Sequence, residues 1–290
     1  MKACLKTLSI AFVLALLPQG QGLRAQAGKP IELVPHRAVY DMALGEVRGG
    51  AGVSSLSGRM VYEITGSKCN GYTQIWRYVT RSADGDGDVT INDQRSNSWE
   101  DGDGRRLRFE STNYRNRKLV SRVAGRAMRS SDNERIDVTI TQPAKKSISF
   151  KSDAMFPIQH SIAMIEASRK GQRLFATDFY DGSENGEKIY HVSTLLGKKL
   201  AAGYNSKLAK MANVDRLDRA SAWPVAVSYY ERSNDNKDQV PTYEVSFVFF
   251  ENGVSRRLLL DHGSFTVRGE LKKIEFLETQ PCRKDKQRWG

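Results

Sequence analysis

Alternation of apolar and polar residues runs through almost the whole chain, and it constrains the fold more than any other feature. In RAVYDMAL, Ala38, Tyr40, Met42 and Leu44 take every second place, opposite Arg37 and Asp41. RMVYEI repeats the pattern with Met60, Tyr62 and Ile64, and IWRYV with Trp76 and Tyr78. RIDVTI does so with Ile136, Val138 and Ile140, and YEVSFVFF with Tyr243, Val245, Phe247 and Phe249. Successive side chains of a strand point to opposite faces, so this period with aromatic and β-branched residues specifies strands with one buried face. Clusters of Gly, Asn and Asp separate the strands, as in GEVRGGAG, SENGE, FENGV and LDHGS. The Asn-Gly pairs of SENGE and FENGV favour the type I′ turn that matches strand twist, and both predict hairpins.

One segment breaks the alternation. MFPIQHSIAMIEASRKG spaces Ile158, Ile162 and Ile165 as a helix does, with Pro157 in the first turn and Lys170-Gly171 as an ending. It predicts one amphipathic helix over Pro157–Arg169 whose apolar stripe plugs or caps a β core. The polar stretch Gly203–Ala222 carries no assignable pattern. No Pro-, Ser- or Gly-rich linker divides the chain and no fixed-period repeat runs through it. A hydrophobic content of 39% with 27% charged residues supplies a core and excludes wholesale disorder. A single domain over 28–290, built on one large antiparallel sheet that is closed or nearly closed, fits best.

The first residues set the compartment. Lys2 and Lys6 flank the start of LSIAFVLALL, Pro18 and Gly20 break it, and AQA at Ala25–Ala27 supplies small residues two apart. This is the layout of a secretory signal peptide over 1–27, cleaved between Ala27 and Gly28. The apolar run is too short to span a bilayer, which takes about 20 apolar residues, and no later stretch approaches that length. Cys4 precedes the run and leaves with the peptide. Of three cysteines, Cys69 and Cys282 remain, and an even number in an oxidising compartment predicts a disulfide between them.

Export also changes the meaning of the charge. The basic residues of the leader, Lys2, Lys6 and Arg24, bring the formal +12 down to +9 in the mature chain. Nucleic acid is not a partner there. Anionic lipid headgroups, lipopolysaccharide phosphates and acidic wall polymers are the available counter-charges. The basic residues are nonetheless scattered singly, as on a solvated strand face.

Motifs for chemistry are sparse. SADGDGDVTINDQ alternates Asp84, Asp86 and Asp88 as calcium loops do, but an EF-hand needs Gly at its sixth position and Glu at its twelfth. Val89 and Arg95 stand there. EDGDG at 100–104 is followed by Arg105 and Arg106. Both runs therefore read as hairpin turns. His36, His160, His191 and His262 lie in no metal-ligand motif. Asp261, His262 and Ser264 are too close in sequence to form a triad, and no G-x-S-x-G elbow, P-loop or dinucleotide fingerprint occurs. No catalytic residue, metal or cofactor is expected.

The phrases ELVPHRAVYDMAL, GRMVYEITGSKCNGYT, FPIQH, FYDGSENGEKIY, WPVAVSYY and FFENGVSRRLLLDHGSFTVRGELKKIEFL resemble, in order, the EipB-type cell-envelope integrity proteins of Gram-negative bacteria. The resemblance runs from Ile31 to Cys282. It implies a periplasmic protein folded as a β-spiral, a mainly β architecture in which a single long antiparallel sheet coils into an open barrel with one helix. The family's cysteine pair falls on Cys69 and Cys282, although ETQPC before the second departs from the usual pattern. The family resists envelope stress, is linked to a tetratricopeptide-repeat partner and has no assigned catalytic residues. Two functions follow as expectations: a non-enzymatic envelope factor acting through a protein partner or the wall, and a carrier whose helix-capped β cavity holds an envelope lipid or glycan.

Overall fold

The computed structural model describes residues 30–50, 52–201, 204, 213–232 and 240–282. The leader, its cleavage site at Ala27 and Gly28, and Gly203 and residues 205–212 of the polar stretch lie outside the described residues.

The strands of the described residues form one antiparallel sheet of fourteen. Strands β1 (His36–Val47), β2 (Ser55–Ser67), β3 (Gly71–Ala83) and β4 (Val89–Glu100) pair each with the next. The meander continues through β5 (Arg106–Arg115), β6 (Lys118–Arg129), β7 (Arg135–Gln142) and β8 (Lys146–Lys151). Helix α1 (Pro157–Arg169) follows, with the bounds its sequence predicts. A second meander runs through β9 (Leu174–Phe179), β10 (Tyr190–Leu196), β11 (Ala222–Glu231), β12 (Tyr243–Phe250), β13 (Ser255–Asp261) and β14 (Phe265–Phe276). A five-residue helix, α2 (Val214–Asp218), precedes β11 within the stretch whose sequence carried no pattern.

The last strand returns to the first: β14 pairs with β1, from His36 opposite Phe276 to Val47 opposite Phe265. The edges of the sheet are therefore β8 and β9, neighbours in sequence with α1 between them. They do not pair with each other, so the coil stays open. The segment leaving β8 covers part of the exposed edge. Met155 N–H donates to Asp178 O at 2.8 Å, and Tyr180 N–H donates to Met155 O at 3.0 Å. Arg129 holds this segment from the other side, donating from Nη2 to Ala154 O at 2.6 Å.

Local chemistry explains the turns. Between β3 and β4 the Asp84 carboxylate accepts the backbone N–H of Asp86 at 3.1 Å and of Asp88 at 2.9 Å. Between β4 and β5 Asp101 accepts the N–H of Arg105 and Arg106 and binds the Arg106 side chain at 2.9 Å. These acids turn the chain, as expected. FENGV joins β12 to β13 as a tight hairpin. SENGE does not: Glu184–Gly186 is a short 3-10 turn inside a longer connection from β9 to β10. That connection is drawn into the core, with Tyr180 and Ile189 buried and Tyr180 Oη donating to Gly186 O at 2.9 Å. Burial of the flanking residues outweighs the local preference for a two-residue turn.

The period-two pattern is realised as burial on one face. In β1 Ala38, Tyr40 and Met42 are buried, and in β7 Ile136, Val138 and Ile140 are, while Arg135 and Asp137 are exposed. Fully burying a side chain such as Ile136, Val138 or Met42 stabilises the fold by about 1.5–3 kcal/mol. Strands β5, β6 and β7 curl over Ala154, Phe156 and Tyr180. Helix α1 packs Ile158, Met164 and Ile165 against Ile64, Tyr72, Val192 and Trp223. Among the described residues no helix is long and apolar enough to cross a membrane.

Candidate functional site: the hollow of the coil

Helix α1 roofs a hollow inside the coiled sheet, and its position depends on one distant carboxylate. Phe156 at the N-cap offers no side-chain acceptor, and Pro157 starts the helix without an N–H. Glu100, at the end of β4 and buried, accepts Ile158 N–H at 2.7 Å and Gln159 N–H at 3.0 Å. Burial pushes its carboxyl up to about 8, against the pull of these two backbone donors. The first turn of the helix directs His160 toward β9, where its ring stacks on Phe175 and meets Phe179 edge-on. Burial lowers the His160 pKa to about 4.

Beneath α1 lies an apolar compartment of about 370 Å³, walled by Tyr40, Tyr62, Phe247 and Leu258 from the sheet and roofed by Ser161 and Met164. Its size and apolar lining fall within the range of small-ligand pockets. Its polar edges are tied back. Tyr40 Oη donates to Ser255 O at 2.8 Å, and Gln74 Nε2 donates to Tyr62 Oη at 2.8 Å. Burial pushes the Tyr62 phenol up to about 12 and keeps it neutral. Trp76 lines this compartment and also a second, polar one of about 320 Å³ over β3, β4 and β5.

The residues singled out in the sequence lie elsewhere. Cys69, in the β2–β3 turn, is bonded to Cys282, with the Cα atoms 5.6 Å apart and both residues exposed. Asn70 Nδ2 donates to Pro281 O at 3.0 Å beside the bond, so the C-terminal segment is fastened across this turn. Asp261 is held by the Arg48 guanidinium at 2.8 and 3.0 Å and accepts Gly263 N–H, which is the work of a turn. His262 stacks on Phe265, His36 Nδ1 bonds Val34 O, and His191 lies 3.3 Å from Asp178. Among the described residues no group of three or more His, Cys, Asp or Glu is placed to hold a metal ion. Sequence reasoning missed Glu100 and the polar compartment. The available signal was β4 itself, whose VTINDQRSNS has no apolar face of either parity after Ile91.

A family model described as EipB-like matches residues 27–278. The chain is similar to the cell envelope integrity protein EipB of Brucella abortus (strain 2308), with 31% identity over 255 residues that make up 88% of each protein. It is also similar to a crystal structure of a β-barrel-like protein from Brucella abortus. The TM-score there is 0.76 at 30% identity, over 86% of this chain and 100% of that one.

Proposed function

The chain belongs to the EipB-like family, and on that premise we propose that it is a non-enzymatic periplasmic factor that maintains the cell envelope under stress through a protein partner. The observation that carries this reading is the similarity, over 88% of each chain, to a protein named for cell envelope integrity. The signal-peptide layout of residues 1–27 supports the compartment, as does an exposed Cys69–Cys282 bond, since such bonds persist where the surroundings are oxidising. The tetratricopeptide-repeat protein implied by the sequence resemblance is the partner to seek. Cross-linking in intact periplasm followed by pull-down should recover one repeat protein, and deletion of the gene should sensitise cells to detergent. Recovery of no partner from cells that do show the sensitivity would remove the partner from the proposal.

A second reading, a carrier of an envelope lipid or glycan, is favoured by the apolar compartment beneath α1. Native mass spectrometry of the protein purified from periplasm tests it. A co-purifying amphiphile supports the carrier, and a clean apoprotein that also fails to take up a fluorescent fatty acid counts against it.

A further inference from the structure

Strand β4 inverts the rule that places apolar residues inside, and its neighbours β3 and β5 add Gln74, Ser111 and Asn113 to the same face. The register puts Trp76 opposite Ser96 and Ser96 opposite Ser111; Gln74 faces Ser98, and Gln94 faces Asn113. Because side chains alternate strictly, these residues share one face with the buried Tyr72, Glu100 and Leu107. That is the inner face of the coil. The opposite face carries Ile75 and Ile91, 44% and 40% exposed, with Arg77, Asp93 and Arg95. A one-residue slip would put the isoleucines inside and the amides outside, yet the pairing of β3 with β4 is continuous from Tyr72 to Ala83 and contains no bulge. Polar groups kept inside at the expense of available apolar ones must be hydrogen-bonded or reserved for a ligand.

We propose that this inner face is a saccharide-binding groove that takes a neutral, hydroxyl-rich glycan segment, with Trp76 as its stacking platform. The floor consists of Gln74, Gln94, Ser96, Ser98, Ser111 and Asn113. Amides and hydroxyls both donate and accept, as the hydroxyls around the edge of a pyranose require. The indole of Trp76 offers an apolar plane to the C–H bonds of a sugar face. Two amides are already oriented, Gln74 by Tyr62 and Asn113 by Ser121 Oγ at 2.9 Å, so the floor is partly preorganised. The far wall is the connection after β9, where Asp181 accepts Ser183 N–H at 2.8 Å. Among the described residues no lysine or arginine lines the groove, while Glu110, Asp181 and Glu184 do. The groove therefore favours a neutral ligand over phosphates and acidic polymers, although the chain as a whole is basic.

The proposal deepens the carrier reading and rests on the hollow being open to ligands. Since Trp76 lines both compartments, a glycan can arrive free or as the head of an amphiphile whose chain enters the apolar side.

Calorimetry with triacetylchitotriose, maltotriose, dodecyl maltoside and a sugar phosphate tests the groove, while uptake of cis-parinaric acid reports the apolar compartment separately. At least one neutral trisaccharide is expected to bind and to change the fluorescence of the wild type but not of Trp76→Phe. Gln94→Ala and Ser111→Ala, which remove polar groups without filling space, should each weaken binding about tenfold and leave parinaric acid uptake unchanged. Tighter binding of dodecyl maltoside than of maltotriose identifies the amphiphile as the source, and equal binding identifies the free glycan. Uptake of parinaric acid with no binding of a neutral saccharide, or binding of the sugar phosphate alone, overturns the glycan proposal and leaves the carrier. Failure of both probes overturns both. Saccharide binding that survives Trp76→Phe, Gln94→Ala and Ser111→Ala unchanged places the ligand elsewhere and also overturns the proposal.

Discussion

Glu100 caps a helix that begins 57 residues later: its carboxylate accepts the N–H of Ile158 at 2.7 Å, inside the coil. The end of a central strand thereby fixes the roof of the hollow. Both oxygens are used, since the second accepts Gln159 N–H. The first-turn donors of a helix otherwise lack partners, and leaving one buried and unsatisfied costs about 1–3 kcal/mol.

This arrangement makes stability depend on pH. Burial raises the folded pKa of Glu100 to about 8, above an ordinary 4.5. A raised folded pKa means that the native state holds the proton longer, so the contribution is full below pH 4.5 and disappears as pH rises through 8. Glu100→Gln removes the titration and also replaces one acceptor oxygen with a donor. At pH 5 the variant should be less stable than the wild type by roughly 2–4 kcal/mol, and the gap should narrow steadily toward pH 8.5. Urea unfolding of both proteins across this range checks it. A gap that widens with pH would show that Glu100 is ionised in the fold.

His160 acts with the opposite sign. Its Nε2 is buried with no hydrogen-bond partner among the described residues, and its folded pKa of about 4 lies below an ordinary 6.5. A depressed histidine contributes stability above its unfolded pKa and loses it as pH falls toward the folded one. Between pH 7.5 and pH 5 the loss amounts to about 2 kcal/mol. His160→Leu, which keeps an apolar side chain against Phe175 and Phe179, should lose less stability over the same interval than the wild type. Equal slopes for the two proteins would assign the acid sensitivity elsewhere, with the buried His36 as the next candidate.

Gly182 and Phe109 give a steric test of the groove's far wall. Gly182 has φ +79°, and a Cβ there would lie 2.3 Å from the Phe109 ring. Gly182→Ala combines left-handed backbone strain with overpacking, and should destabilise by about 2–4 kcal/mol. Combined with Phe109→Ala, it should cost less than the two changes taken singly, because the shortened side chain leaves room. Strict additivity in a double-mutant cycle would rule out this contact.

The sequence made some of these features legible and hid others for identifiable reasons. Helix α1 was readable because Pro157, the isoleucine spacing and Lys170-Gly171 are all local signals. The strands of β1 and β7 were readable because one face of each is buried in an apolar core. The partnership of β1 with β14 is not local, and nothing in HRAVYDM names KKIEF as its neighbour. Glu100 read as part of an acidic turn because its burial depends on where α1 returns. The floor of the groove shows only as failed alternation in β4, which takes the register with β3 and β5 to convert into a polar inner surface.

The bond between Cys69 and Cys282 supplies the last prediction. It closes a loop of 213 residues and joins the β2–β3 turn to the segment beyond β14. The two cysteines are far apart in sequence and sit on the surface, unlike a Cys-x-x-Cys redox pair. The cross-link limits the unfolded ensemble, where chain-entropy reasoning sets an upper figure of about 5 kcal/mol and measured gains are typically 2–4 kcal/mol. The fold itself has another tie between its ends, since β1 and β14 pair along their length. Cys69→Ser with Cys282→Ser should therefore fold, lose about 2–4 kcal/mol and still bind whatever the hollow takes. In cells its steady-state level should fall, with a partial envelope defect in proportion, because losses of this size change abundance severalfold. Unfolding curves, immunoblots and detergent sensitivity of the double variant make the comparison. Complete loss of function at normal abundance and unchanged melting temperature would mean that the cysteines do chemistry, and would end the structural interpretation of the bond.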